Sequence, residues 1–287
     1  MQHQRKLSVW LGIILGTVCA LALSAISAHA SDRPGRLTEE FHQTYPLSAT
    51  GRVALDNING GVHISVWDRN EVKVDAVKSA YDQERLNEAK IVVDATQDSV
   101  SIHTEYPRHD HTFNDHDWDN PASVEYTLTV PRAARLDEIK LINGALDIQG
   151  ATGPVEASCI NGRLTATGLT GRAKLSTING RLEARFERTE SSIELSSVNG
   201  GVSLTLPSDA KADLEASTVH GGISNDFGLR VNNHQFVGHN LSGQLGGGGT
   251  RIKLNNVNGR IEILHAGDGR ALSPAKDNGN HDDDDTI

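Results

Sequence analysis

One tripeptide recurs along the chain: an aliphatic residue, then a polar residue that is Asn in all but one copy, then Gly. The copies are Ile58-Asn59-Gly60, Ile142-Asn143-Gly144, Ile160-Asn161-Gly162, Ile178-Asn179-Gly180, Val198-Asn199-Gly200, Val219-His220-Gly221 and Val257-Asn258-Gly259. From the second copy onward they are spaced by 18, 18, 20, 21 and 38 residues, and the last gap is close to two periods. A nearly constant spacing of this kind indicates one structural unit repeated along the chain.

Positions on both sides of the tripeptide form aliphatic columns when the seven copies are aligned. Three residues before the aliphatic residue stand Leu55, Ile139, Ala157, Leu175, Leu195, Ala216 and Leu254. Five residues before it stand Val53, Asp137, Val155, Ala173, Ile193, Leu214 and Ile252. Apolar and polar residues alternate within each arm, which is typical of a β-strand with one buried face.

Each unit is therefore predicted to be a short strand, an Asn-Gly corner and a second short strand. Asn-Gly also suits a two-residue hairpin turn. However, the apolar parity shifts across the tripeptide, and Gly-containing links such as 150–153 and 168–171 close several units. The pattern favours an all-β, single-domain β-solenoid, or an open β-roll of the same logic, over a sandwich. Its rungs would be strand-corner-strand units of about 18–21 residues, stacked as a coil with Asn-Gly corners.

The amino-terminal segment, 1–30, resembles a secretory signal peptide. Arg5 and Lys6 precede an apolar stretch at 7–26, and Ala28-His29-Ala30 fits a small-x-small cleavage site. The alternative is an uncleaved membrane anchor, since the apolar stretch is nearly long enough to span a bilayer.

The remaining chain divides by pattern into three parts. Residues 31–46 are a lead-in, 47–265 are the predicted β-solenoid domain, and 266–287 are an acidic tail that we expect to be disordered. An irregular insertion at 67–135 interrupts the repeat, with strand-like runs at several points and one short candidate helix. We expect it to pair with the coil as wider strands.

Charge and cysteine content exclude some classes of protein. The 37 acidic and 27 basic residues give a formal net charge of −10, and the segment 1–30 contains two of the basic and none of the acidic ones. An acidic exported chain is a poor candidate for binding nucleic acid. Of the two cysteines only Cys159 would survive cleavage, so no internal disulfide is expected.

The order of these features resembles the bacterial DUF4097 family, described as putative adhesins, and is similar to the head domain of autotransporter-like adhesins. The resemblance rests on the opening strand Gly51-Arg52-Val53-Ala54-Leu55, the strand end Thr127-Leu128-Thr129-Val130-Pro131, the serial Asn-Gly units and the Gly-rich run at 246–249. It covers about residues 47–264. The resemblance implies an exported β-solenoid-like domain and no catalytic residues.

A segment rich in His and Asp, at 106–121, departs from the family pattern and is the best candidate for a metal site. Its candidate ligands are His109, His111, Asp115, His116 and Asp117. Imidazole and carboxylate groups together suit Zn²⁺, Ni²⁺ or Cu²⁺, and carboxylates suit Ca²⁺. The spacing matches no closed structural zinc motif. The alternatives are a solvated surface loop or a weak divalent site, and no other cofactor is expected.

Other residues that could carry chemistry have plainer structural interpretations. The Asn column suits left-handed corners, and its stacked side chains are expected to bond the backbone of the next corner. Cys159 occupies a column with Thr177, Ser197 and Thr218 that turns inward beside the corner, so it is expected to fill a slot. Arg163 and Arg181 follow their glycines and could hold an anion, but Glu183 is placed to neutralise them.

The favoured function is a non-enzymatic, exported protein of the cell envelope, periplasmic or on the cell surface, that presents a repeat-built face for binding or adhesion. Its partner would be an envelope component, a glycan or a protein, with no nucleic acid and no stable membrane span after cleavage; self-stacking is possible. One alternative is a polysaccharide-active β-helix enzyme, disfavoured because Lys174 separates Glu156 from Glu194. The other is metal binding by the His/Asp segment.

Overall fold

The computed structural model describes residues 35–107, 121–233 and 238–278, and these residues form two β-sheets. The smaller sheet has ten strands in the order β1 (Leu37–Pro46), β4 (Glu71–Ala80), β7 (Ser123–Pro131), β3 (Val62–Trp67), β9 (Leu146–Gln149), β11 (Leu164–Leu169), β13 (Leu182–Phe186), β15 (Val202–Leu206), β21 (Ile261–His265) and β17 (Ile223–Asn225). The larger sheet has the order β18 (Asn232–Asn233), β19 (His239–Leu245), β16 (Ala212–His220), β20 (Thr250–Asn258), β14 (Ile193–Asn199), β12 (Ala173–Asn179), β10 (Val155–Asn161), β8 (Arg135–Asn143), β2 (Arg52–Asn59), β6 (Ser99–Glu105) and β5 (Lys90–Ala95), with β22 (Ala275–Asp277) paired to β19. Within the described residues the only helix is α1 (Gln83–Glu88). The predicted all-β class is confirmed, and the architecture is β-solenoid-like.

The chain changes sheet at each recurring tripeptide. β12, for example, lies in the larger sheet and ends at Asn179, whereas β13 begins at Leu182 in the smaller sheet. Equivalent strands of successive units pair in parallel, with Leu175 beside Leu195 and Asn179 beside Asn199. The alternating aliphatic positions are buried between the sheets in one contiguous core. Each fully buried aliphatic side chain stabilises the fold by about 1.5–3 kcal/mol, and it is buried only because a neighbouring unit covers it.

The units do not stack in chain order, which differs from the simple coil that the period suggested. The seventh unit lies between the fifth and the sixth, because β20 pairs in parallel with β14 on one side and with β16 on the other. After β17 the chain returns through β19, which runs antiparallel to β16. The chain then passes back to the free edge of β14. This insertion places residues 251–258 directly beside residues 192–199.

The alignment of the second unit also needs a correction. Leu136, not Asp137, occupies the inward column, since Val53 pairs with Leu136 and Leu55 with Ile139. The extra residue forms a bulge, and Glu138 is the one non-glycine residue among those described with a positive φ, 58°. A bulge moves every preceding side chain to the opposite face of the strand, so fixed-offset alignment fails there.

The stretch that interrupts the repeat supplies strands to both sheets. β4 and β7 extend the smaller sheet beyond β3, and β5 and β6 extend the larger one beyond β2. α1 begins after Asp82, whose carboxylate accepts a hydrogen bond from the backbone N–H of Arg85. No helix in the described part of the chain has the length and apolarity required to cross a membrane.

Candidate binding face of the larger sheet

The solvent side of the larger sheet carries the repeat most regularly, and we call the part of it formed by β10, β12, β14, β20 and β16 the outer face. Side chains alternate along each strand, so the outward positions of neighbouring units fall into rows that cross the strands. One row, the aliphatic row, consists of Ile160, Ile178, Val198, Val257 and Val219. The next outward row consists of Ser158, Ser176, Ser196, Asn255 and Ser217. The third row consists of Glu156, Lys174, Glu194, Lys253 and Glu215.

The aliphatic row is exposed although its residues are large and apolar. Its five side chains retain 38–44% of their accessible surface. They make up five of the nine large apolar side chains that are exposed in the described residues. Isolated exposed apolar residues are common on protein surfaces, but a continuous patch often marks a binding surface.

A ladder of asparagine amides borders the aliphatic row at the corner. From Asn143 onward, each Nδ2 donates to the Oδ1 of the preceding asparagine in the stack at 2.8–2.9 Å. The linked residues are Asn59, Asn143, Asn161, Asn179, Asn199 and Asn258. The side chains therefore bond one another along the stack instead of the backbone of the next corner. The expected left-handed conformation is also wrong for these asparagines, since the glycines that follow them take the positive φ values. With their amides committed to the ladder, these residues stiffen the edge of the outer face.

The charged row opens into two adjoining clefts. The first has a volume of about 300 Å³ and is lined by Arg172, Lys174, Ser192, Glu194, Arg251 and Lys253, above the buried Ala173 and Ile193. The second has a volume of about 240 Å³ and is lined by Glu215, Ser217, Asn240, Ser242, Lys253 and Asn255, above Ala216, Leu241 and Leu254. Lys253 lines both clefts, which lie side by side across β12, β14, β20, β16 and β19, and we call the two clefts together the trough.

The predicted metal ligands His109, His111, Asp115, His116 and Asp117 lie outside the described residues, so metal binding by this segment stays a prediction. Within the described ranges, no group of three or more His, Cys, Asp or Glu side chains is arranged to hold a metal ion.

Two other candidate residues have the structural roles that the sequence suggested. Cys159 is buried, in register with Thr177, and burial raises the pKa of its thiol. It is therefore a poor nucleophile. Arg181 contacts Glu183 at 2.6 Å and Glu262 at 3.4 Å, so its charge is neutralised within the corner.

Sequence reasoning missed both the exposure of the aliphatic row and the trough. The alternation of side chains along a strand could have revealed the exposure of the aliphatic row. The aliphatic residue of each tripeptide directly follows a residue of the inward column that contains Cys159, so it must face outward. The trough could not have been found in this way. Arg251 and Lys253 come from the seventh unit and meet Ser192 and Glu194 of the fifth only because β20 inserts beside β14.

Comparisons with known proteins connect the chain to one family. The model of the family Toastrack DUF4097 matches residues 50–264. No curated protein matches the chain. Among solved structures, a "putative cell adhesion protein" from Clostridium sporogenes is 13% identical with a TM-score of 0.41, covering 79% of this chain and 99% of its own. A "putative adhesin" from Bacteroides fragilis is 10% identical with a TM-score of 0.34, covering 79% and 96%. A "putative lipid binding protein" from Parabacteroides distasonis is 8% identical with a TM-score of 0.29, covering 79% and 94%.

Proposed function

Because the chain belongs to the Toastrack DUF4097 family, we propose that it is an exported, non-enzymatic β-solenoid protein of the cell envelope or surface that binds its partner through the outer face of the larger sheet. The exposed aliphatic row is the observation that carries this proposal. Five β-branched side chains in register, next to a row of short polar ones, form a flat surface that another molecule can cover. Covering it would remove apolar area from water, which favours association by roughly 25 cal/mol per Å² before the costs of binding.

The chemistry of the outer face supports binding without catalysis. Catalytic serine needs a neighbouring base to activate it. In the described part of the outer face, the serine row is bordered by aliphatic and charged residues and by no histidine. The carboxylates Glu156 and Glu194 are separated by Lys174, so adjacent strands place no pair of acids side by side there. Demonstration of substrate turnover that a single substitution abolishes would overturn this part of the proposal.

Replacement of Ile178 and Val198 by threonine is expected to weaken binding to envelope fractions of the host bacterium by about tenfold, which corresponds to ~1.4 kcal/mol. Threonine keeps the β-branched shape and the strand propensity, so the fold should be unchanged. Binding would be measured by sedimentation of the labelled protein with the fractions. The matched control is Leu37→Thr with Val77→Thr, two exposed apolar residues outside the row. Equal binding by both double variants would show that the aliphatic row is not the contact surface.

Export predicts that the folded domain lies outside the cytoplasm. Protease treatment of intact cells, followed with an antibody to residues 47–265, should cleave the protein if it is on the cell surface, while a periplasmic marker survives. Cleavage only after the outer barrier is opened would place it in the periplasm. Resistance until the cytoplasm is released would contradict export.

A further inference from the structure

The trough on the outer face combines positive charge with hydrogen-bonding groups in a chain that is acidic as a whole. Four cationic side chains, Arg172, Lys174, Arg251 and Lys253, stand on β12 and β20 or, for Arg172, directly before β12, on the two sides of Ser192 and Glu194. The whole chain has a formal net charge of −10. The carboxylates Glu194 and Glu215 also line the trough, so its lining has two more cations than carboxylates. A local positive excess in an acidic chain attracts anions.

Two of these cations have no acidic partner among the residues that the structure describes. Lys174 pairs with Glu156 at 3.1 Å, and Arg251 pairs with Glu215 at 3.3 Å. No carboxylate of the described residues lies within ion-pair distance of Arg172 or Lys253, and both side chains are exposed. Glu194 stands between Lys174 and Lys253 in register, but neither lysine pairs with it among the described contacts. Arg172 and Lys253 therefore remain available to an external anion.

The rest of the trough offers hydroxyl, amide and carboxylate groups. Ser192 is able to donate and accept, and Asn240 and Asn255 add amide groups. Ser217 donates to Asn255 Oδ1 at 3.2 Å and Ser242 accepts from Asn278 Nδ2 at 3.4 Å, so Ser217 can still accept and Ser242 can still donate. The described lining residues include no aromatic side chain. Five strands at a spacing of about 4.8 Å make the trough roughly 19 Å long, so it suits an extended chain and not a compact small molecule.

We propose that the trough binds an acidic glycan, a polyhydroxylated chain that carries carboxylates. Arg172 and Lys253 would bind the carboxylates through charge-assisted hydrogen bonds. The serine and asparagine side chains, with Glu194 and Glu215, would bind the sugar hydroxyls. This inference rests on the proposed function, because it places the ligand on the same outer face, but it depends on a different row of side chains.

A nucleic acid would also be attracted to exposed cations, but the lining favours a glycan. Single-stranded nucleic acid is bound through stacking of its bases on aromatic side chains, which the described lining lacks. Glu194 and Glu215 would also oppose a continuous line of phosphates, whereas they can accept hydrogen bonds from sugar hydroxyls.

The test uses soluble polygalacturonate as the acidic probe, dextran as the neutral one and a single-stranded DNA oligonucleotide as the competing polyanion. Calorimetry with the full chain should show polygalacturonate binding that weakens as salt increases. Arg172→Ala with Lys253→Ala is expected to weaken it at least about tenfold. The matched control, Arg163→Ala with Lys90→Ala, also removes one exposed arginine and one exposed lysine, both outside the trough. It should bind as the unaltered protein does.

Three outcomes would overturn the inference: no binding of polygalacturonate, equal weakening in both double variants, or tighter binding of DNA that the trough variant abolishes. Residues 282–285 are four consecutive aspartates outside the described residues, and they add negative charge to the chain. The measurement is therefore repeated with all four replaced by asparagine, and failure to bind is scored on that variant. The two proposals can fail separately. If substitution of Ile178 and Val198 abolishes envelope binding but polygalacturonate does not bind, the proposed function stands and only the assignment of the ligand is removed.

Discussion

Replacement of Gly200 by alanine is expected to lower the free energy of unfolding by about 3 kcal/mol or more, a large fraction of the stability of an ordinary domain. Gly200 has a φ of 151°, where residues with a Cβ are strained, and a Cβ there would overlap the carbonyl oxygen of Gly180 in the neighbouring corner. The nearest atoms that the Cβ would meet are the carbonyl oxygen and carbon of Gly180. Both belong to the backbone, so the overlap cannot be relieved by rotation of a side chain.

The adjacent Gly201 provides a matched control within the same corner. Its Cβ would meet nothing closer than the carbonyl oxygen of Arg260 at 3.6 Å, an ordinary contact. We expect Gly201→Ala to change the free energy of unfolding by no more than about 0.5 kcal/mol. Urea unfolding followed by circular dichroism measures both variants. Equal midpoints for Gly200→Ala and the unaltered protein would show that the corners do not need close backbone contact.

The close contact at the corners explains why the repeat could be recognised from the sequence. Gly162, Gly180 and Gly200 each lie against the backbone of the preceding corner, so a side chain is excluded at that place in every unit. The inward columns are equally constrained, because each strand must bury the same face against its neighbours. Local rules of this kind predicted the strands, the burial of Cys159 and the pairing of Arg181 with Glu183.

The features that could not be predicted depend on which units become neighbours. The period does not say that β20 enters between β14 and β16, since any free strand edge with the same inward pattern can accept another parallel strand. The bulge at Glu138 likewise comes from a single extra residue. Alignment at fixed offsets did not allow for that residue, so it placed Asp137 in the inward column instead of Leu136. The trough arises from the non-sequential pairing, because Arg172 and Lys253 belong to units that are far apart in the sequence, with other units between them.

Asn57 is the centre of a buried polar network. It belongs to the first unit and is the first residue of the inward column that contains Cys159. Its side chain is fully buried, and its Nδ2 donates to the carbonyl oxygens of Val124 at 2.9 Å and Gly60 at 3.1 Å. The hydroxyl of Thr104 donates to Asn57 Oδ1 at 3.0 Å. This bond uses the only hydroxyl proton of Thr104. The hydroxyl of Tyr126 must therefore be the donor in its own bond to Thr104, at 2.8 Å. Burial raises the pKa of Tyr126 to about 12, so the proton stays in place throughout the neutral range.

Asn57→Leu is expected to destabilise the fold by about 2–3 kcal/mol, because the carbonyl oxygens and the Thr104 hydroxyl that bond Asn57 lose their shared partner inside the core. Leucine should fit the space, since Leu141 occupies the adjacent position of the same column and is buried. The loss would therefore report on hydrogen bonding and not on overpacking.

A control and a double-mutant cycle separate this network from the rest of the column. Thr177→Val alters a buried hydroxyl in the same column that has only a long contact, 3.5 Å, to the carbonyl of Gly162, so it should cost about 1 kcal/mol or less. Thr104→Val combined with Asn57→Leu should cost less than the sum of the two single changes, because each removes a partner that the other leaves unsatisfied. Strict additivity in urea unfolding would mean that the two side chains stabilise the fold independently. The corner of the first unit would then depend on its glycine and its packing, as the other corners do.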